Sequence, residues 1–241
     1  MIKKETAGHV DLPTPTHQST STSPEKSGIR MVLATSMPTS DPDRLTLRNI
    51  LVNNSVKLGR SFMLSSGATS DKYIDAKLTT LTPEAMPLVG RLFLRKIKES
   101  GWSPKAVGGL TVGADPIAFS VARESIDEAK TSINAFIVRK VPKKHGMERF
   151  IEGIENTAGL PVVIIDDVCT QGKSTGEAIE RALQAGMKVL GAICLVDRED
   201  GAAQLLAEHY DCRLVSIFTL NELVDCKRNA KGTAEPIVAF A

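Results

Sequence analysis

From about residue 100 onward the chain alternates short, almost wholly apolar runs with stretches whose apolar positions recur every three or four residues. Ala106–Leu110, Ala135–Val138, Pro161–Ile165, Val189–Val196 and Leu214–Phe218 read as strands; Asp115–Ala122, Ser174–Ala185 and Ala202–Glu208 read as helices. Strands that are apolar on both faces belong in a parallel sheet covered by helices on either side. Upstream, Asp41-Pro42 predicts a helix start, with Leu47, Ile50, Leu51 and Leu58 on one stripe. Phe62–Gly67 and Lys72–Asp75 predict two short strands around a glycine turn. Thr82-Pro83 opens a long helix with Met86, Val89, Leu92, Phe93 and Ile97 facing inward, and Gly101 ends it.

Residues 1–40 break this pattern. They are rich in Ser, Thr and Pro, and the first aromatic residue of the chain is Phe62. Such a segment cannot bury enough apolar surface to offset its ordering entropy, so it is expected to be a disordered tail. A transit peptide would be rich in Arg and poor in acids, whereas here Arg30 stands against Glu5, Asp11 and Glu25. Met31 is an alternative start.

Composition narrows the classes. The 241 residues carry 30 Lys+Arg against 28 Asp+Glu, a formal net charge of +2, which argues against a strongly basic nucleic-acid binder. Mean hydropathy is −0.05, and no apolar run approaches the roughly 18 residues of a membrane span. Cys169, Cys194, Cys212 and Cys226 form no C-x-x-C pair, so they read as reduced thiols of a cytoplasmic protein.

Ligands of a parallel sheet sit at the carboxyl ends of its strands. The most apolar strand is followed by Asp166, Asp167, Val168, Cys169, Thr170, Gln171, Gly172, Lys173 and Ser174, then a helix. Two adjacent carboxylates there are costly unless they meet cations or hydroxyl donors. The small polar stretch leads into a helix N-terminus, where free N–H groups and the dipole favour a phosphate. Together they suit a sugar phosphate. A P-loop needs Gly where Asp167 stands, and no G-x-G-x-x-G follows a strand, so both nucleotide motifs fail. The plainer alternative is a strand whose Asp166 or Asp167 caps the next helix. Cys169 reads as a small, half-buried thiol rather than a redox group.

Val162–Ser174 resembles the phosphoribosyl-pyrophosphate motif of type I phosphoribosyltransferases. Three further segments resemble the orotate branch of that family: Phe62–Asp75 its N-terminal signature, Phe136–Gly146 its mobile catalytic loop, and Cys194–Gly201 its orotate-side strand end. Gly108–Ile117 adds a fourth match. The resemblance implies an α/β fold, a type I phosphoribosyltransferase-like parallel sheet flanked by helices, with a small N-terminal hood. The expected organisation is a tail over 1–40, a domain over 41–225 (hood about 41–80, core about 82–225) and a C-terminal tail over 226–241.

The resemblance also implies the activity: transfer of phosphoribosyl from phosphoribosyl pyrophosphate to orotate, with Mg²⁺ carried by the diphosphate and no direct metal ligand on the protein. Lys143, Asp166 and Asp167 are then the catalytic candidates. Arg139, Lys140, Lys143 and His145 are the cations for the diphosphate, and residues 166–174 hold the phosphoribosyl group. Thr170, Arg198, Ser65 and Tyr73 are the orotate-side candidates, with the Arg198 guanidinium on the carboxylate of orotate. A homodimer with the loop shared across subunits is implied, without nucleic acid or membrane partners. Taken singly, the basic run 139–144 reads as a solvated loop, His145 as an exposed loop residue and Arg198 as half of a surface ion pair; the joint pattern favours the site. Some family members place Lys at the position of Ser65 and an aromatic-Lys pair at Val112-Gly113; Lys72 or Lys77 is a candidate for the missing charge. The rivals are transfer to another base, or a phosphoribosyl-pyrophosphate sensor on the same fold.

Overall fold

The computed structural model describes residues 41–63, 69–127, 132–142 and 149–232. The expectations for the tail 1–40, including Met31, and those for Ser65, Lys143 and His145 lie outside these residues.

Helix α1 (Pro42–Asn54) starts as the Asp-Pro pair predicts: the Asp41 carboxylate accepts from the Asp43 amide, satisfying one of the free N–H groups of the first turn. The helix stops earlier than the stripe suggests. Leu58 lies instead in β1 (Val56–Met63), which pairs antiparallel with β2 (Thr69–Ile74). Leu58 fits a strand and a helical stripe equally well, so periodicity alone misplaced it. A short helix, α2 (Lys77–Thr80), leads to α3 (Ala85–Glu99), whose Val89, Leu92, Phe93 and Ile97 are buried as expected. Met86 is not; it lies at the surface, 37% exposed. At the other end Gly101 adopts φ +73 and its N–H closes onto the Lys98 carbonyl, which is how a glycine ends a helix.

The remaining chain builds a six-stranded sheet in the order β5-β4-β3-β6-β7-β8. Strands β3 (Ala106–Leu110), β4 (Asn134–Val138), β6 (Pro161–Cys169), β7 (Lys188–Asp197) and β8 (Leu214–Thr219) run parallel. The two-residue β5 (Ile151–Glu152) adds an antiparallel edge that no period in the sequence announces. The connections are α4 (Asp115–Asp127), α5 (Lys173–Gln184) and α6 (Ala202–Tyr210).

Alternation along the central strand sorts the core into two halves. Val163 and Ile165 pack with α1, α3 and α4, while Val162 and Ile164 pack with α5 and α6. Both faces are dry, which is why the run carries no polar residue before Asp166. The last helix, α7 (Leu220–Gly232), crosses the boundary expected at 225. It buries Leu223 and Val224, and Arg44 of α1 forks onto Glu222 at 2.7 and 2.8 Å. The Lys227 ammonium donates to the Val52 and Val56 carbonyls at the end of α1 and the start of β1. Among the described residues, no helix is long and apolar enough to cross a membrane.

Candidate active site

Strand β6 runs four residues further than the apolar pattern, so Asp166 and Asp167 lie within it rather than after it. Both are buried, at 6% and 9% exposure. Burial is tolerated because donors converge on them. The Ser174 and Thr175 hydroxyls donate to Asp166 Oδ2 at 3.0 and 2.5 Å, and the Asp167 amide donates to Oδ1 at 3.0 Å. Burial, then the Asp167 charge, still push the Asp166 carboxyl up to about 7, against the pull of these donors. Thr175 therefore belongs to the site, although the motif pointed no further than Ser174. The signal was available in retrospect: a second hydroxyl one residue on, at the start of α5.

Asp167 faces Lys77 and the loop between β3 and α4. Its Oδ1 accepts from the Val168 amide at 2.9 Å, and its Oδ2 lies 3.3 Å from the Lys77 ammonium. A Cβ at Gly113 would stand 2.4 Å from Asp167 Oδ1, so the loop between β3 and α4 touches this carboxylate at a position that, in this arrangement, admits only glycine. Lys77 also pairs with Asp75 at 3.2 Å. Burial alone would lower its pKa, but the two carboxylates outweigh that and leave it raised. Among the described residues Lys77 is the one cation within ion-pair distance of either member of the aspartate pair. Lys72, the other candidate for extra charge, goes elsewhere: its ammonium meets Asn221 Oδ1 at 3.2 Å, and the Asn221 amide meets Glu199 at 2.8 Å.

The loop Thr170–Gly172 turns sharply into α5. Gly172 sits at φ +78, and a Cβ there would meet Ala202 at 3.3 Å. The turn leaves Gln171, Lys173 and Ser174 exposed and Thr170 half-buried around the helix N-terminus. Cys169 is fully buried rather than half-buried, its thiol 3.0 Å from the Thr175 hydroxyl; it packs with Cys194, whose thiol burial pushes well above its ordinary value. Neither group is placed to act as a nucleophile.

Arg198 stands one residue past β7, which is paired with β6, and its amide donates to the Cys169 carbonyl at 2.9 Å. The side chain is only 10% exposed; its Nε lies 3.3 Å from Asp200 Oδ2 but makes no hydrogen bond among the described residues. A guanidinium this dry and this poorly engaged suits a planar carboxylate. Tyr73 on β2 stacks with Phe62 on β1, ring centroids 5.3 Å apart, and is half-buried.

Arg139 ends β4. Its amide meets the Phe150 carbonyl at 2.8 Å, and its guanidinium reaches Val141 O at 3.1 Å and Glu152 at 3.4 Å. Lys140 is exposed. The carboxyl ends of β3, β4, β6 and β7 thus present a carboxylate pair, a tight turn into a helix N-terminus, a buried guanidinium and the basic pair Arg139-Lys140, a constellation able to hold a charged sugar and a planar acid.

Comparison with known proteins agrees. A family model described as phosphoribosyl transferase domain matches residues 80–227. An orotate phosphoribosyltransferase of Aquifex aeolicus is 39% identical over 184 residues, covering 76% of this chain and 98% of that protein. The crystal structure of Mycobacterium tuberculosis orotate phosphoribosyltransferase in complex with Fe(III) dicitrate superposes with a TM-score of 0.66 at 37% identity, covering 76% of this chain and 99% of that one. The same enzyme in complex with 5-phospho-alpha-D-ribosyl 1-diphosphate gives 0.62 at 33% identity, with the same coverage.

Proposed function

The chain belongs to the orotate phosphoribosyltransferase family, within the phosphoribosyl transferases, and from that premise we infer how its residues transfer phosphoribosyl from phosphoribosyl pyrophosphate to orotate, giving orotidine 5′-monophosphate and pyrophosphate. The observation that carries this reading is the juxtaposition of the aspartate pair, the N-terminus of α5 and the dry Arg198 guanidinium at the ends of two neighbouring strands.

In this reading Asp167 accepts from the ribose hydroxyls, with Asp166 behind it. Their negative charge favours the positive charge that grows at the anomeric carbon as the bond to the diphosphate lengthens. The backbone N–H groups of Thr170 to Ser174 and the Thr170 hydroxyl hold the 5′-phosphate, aided by the helix dipole. Ser174 already donates to Asp166, so its hydroxyl ties the phosphate turn to the ribose carboxylates. Mg²⁺ enters as part of the substrate, bound to the diphosphate, and neutralises part of the leaving group's charge.

Arg139, Lys140, Lys143 and His145 supply the remaining cations, and the loop that carries them excludes water while the diphosphate departs. Arg139 gives up its contact with Glu152 to do so. On the other side, Arg198 fixes the carboxylate of orotate and, with Thr170, Tyr73 and Ser65, presents the ring nitrogen to the anomeric carbon. A base without the carboxylate leaves the buried Arg198 guanidinium with only Asp200 beside it, which penalises uracil. A homodimer that shares the basic loop, acting in the cytoplasm in pyrimidine nucleotide synthesis, completes the reading.

The test is base discrimination. Orotate, uracil, adenine and hypoxanthine are offered separately with the magnesium salt of phosphoribosyl pyrophosphate, and nucleotide products are separated by chromatography. Orotidine 5′-monophosphate alone is expected; a purine nucleotide as the main product would overturn the assignment.

A further inference from the structure

We propose that Lys77 is a further binding residue for the diphosphate-bearing sugar, a cation that the hood supplies beside, and independently of, the basic loop 139–145. The inference rests on the orotate phosphoribosyltransferase reading and deepens it.

Lys77 begins α2, ninety residues away in sequence from Asp167, yet its ammonium lies 3.3 Å from Asp167 Oδ2. A ribose hydroxyl held by that carboxylate would stand one hydrogen bond further out, so the ammonium lies within about 6 Å of it. The diphosphate leaves from the carbon next to the hydroxyl-bearing carbons, so its oxygens fall within reach of the same side chain. An ammonium has three N–H donors. Asp75 and Asp167 engage it at 3.2 and 3.3 Å, and the side chain remains 43% exposed, so donor capacity is left on the open side.

Charge points the same way. The acids facing this spot are Asp75 and Asp167, while Asp166 turns toward Ser174 and Thr175 of α5, and no other described cation lies within ion-pair distance of the aspartate pair. A polyanionic substrate approaching these two carboxylates needs a counter-charge fixed at the spot. A half-exposed ion pair contributes little to folding, so a structural role alone does not require it.

The test uses the full chain, with Lys77→Met and Lys77→Arg beside the wild type. KM and kcat are measured for each substrate, and equilibrium affinity for orotidine 5′-monophosphate is measured separately. That product has the 5′-phosphate and ribose hydroxyls but no diphosphate. K77M is expected to raise KM for phosphoribosyl pyrophosphate about tenfold, with the orotate KM and the product affinity within about twofold, and K77R to recover most of the loss. An unchanged KM for phosphoribosyl pyrophosphate overturns the inference. So does equal weakening of phosphoribosyl pyrophosphate and orotidine 5′-monophosphate, which would make Lys77 a latch between hood and core. Loss of folding in both K77M and Lys77→Gln overturns it as well, since the role would then be structural. A wild type that leaves orotate unconsumed would instead sink the functional reading on which the inference stands.

Discussion

Replacing Asp166 by Asn separates what this carboxylate does for the fold from what it does for the reaction. Held at about 7 rather than 3.8, the ionised carboxylate costs the folded state on the order of 4 kcal/mol above pH 7. Asparagine removes that cost. Its amide nitrogen can take the place of Oδ2, where the Ser174 and Thr175 hydroxyls can rotate to accept, while its oxygen keeps the Asp167 amide. Imperfect hydrogen bonding there costs about 1–3 kcal/mol. D166N is therefore expected to be as stable as the wild type at pH 8, or more stable by about 1–3 kcal/mol.

The sign with pH follows from the raised value. The folded protein holds a proton on Asp166 that the unfolded chain releases near pH 4, so the wild type loses stability relative to D166N as pH rises from about 4 to about 7. Catalysis moves the other way. Without the negative charge beside the anomeric carbon, kcat/KM for phosphoribosyl pyrophosphate is expected to fall roughly 10²–10³-fold. Denaturant unfolding at pH 5 and pH 8, with orotate consumption followed by ultraviolet absorbance, reads both effects. D166N that is markedly less stable than the wild type at pH 8, or that keeps activity within about tenfold, would refute the reasoning.

Two other substitutions probe different parts of the site. Arg198→Ala is expected to raise the orotate KM by roughly 10- to 150-fold, the worth of a charge-assisted hydrogen bond, while the KM for phosphoribosyl pyrophosphate stays near the wild-type value; steady-state kinetics with each substrate varied in turn checks this. Gly172→Ala forces a Cβ into a left-handed turn against Ala202, and is expected to destabilise the protein by about 1–2 kcal/mol in denaturant unfolding and to weaken phosphoribosyl-pyrophosphate binding.

The parallel sheet was legible because its strands are dry on both faces. Val162–Ile165 and Val189–Val196 announce themselves as unbroken apolar runs, and the acids that follow Ile165 mark the ligand end. What stayed hidden was set by tertiary contacts. The edge strand β5 is two residues long and carries no period. Helix α7 is rich in charge, and only its docking through Leu223, Val224, Glu222 and Lys227 shows that residues 226–232 continue the fold. Leu58 was drawn onto a helical stripe because an apolar residue four past Asn54 fits either period. At the site, Asp166, Asp167 and Arg198 could be named from motif and resemblance, yet the pairing of Thr175 with Asp166 and of Lys77 with Asp167 could not be assigned from spacing. The first depends on how the turn at Gly172 aims α5, and the second joins residues ninety positions apart that only folding brings together.

The central claim is the reaction itself. Its most direct test is orotate absorbance in the presence of phosphoribosyl pyrophosphate and Mg²⁺, for the wild type and for Lys143→Ala, followed by addition of pyrophosphate to the product. The wild type is expected to consume orotate only when both partners are present, pyrophosphate with orotidine 5′-monophosphate to restore the signal, and K143A to be slowed by roughly 10²-fold or more. A wild type that binds phosphoribosyl pyrophosphate but never consumes orotate would contradict that claim.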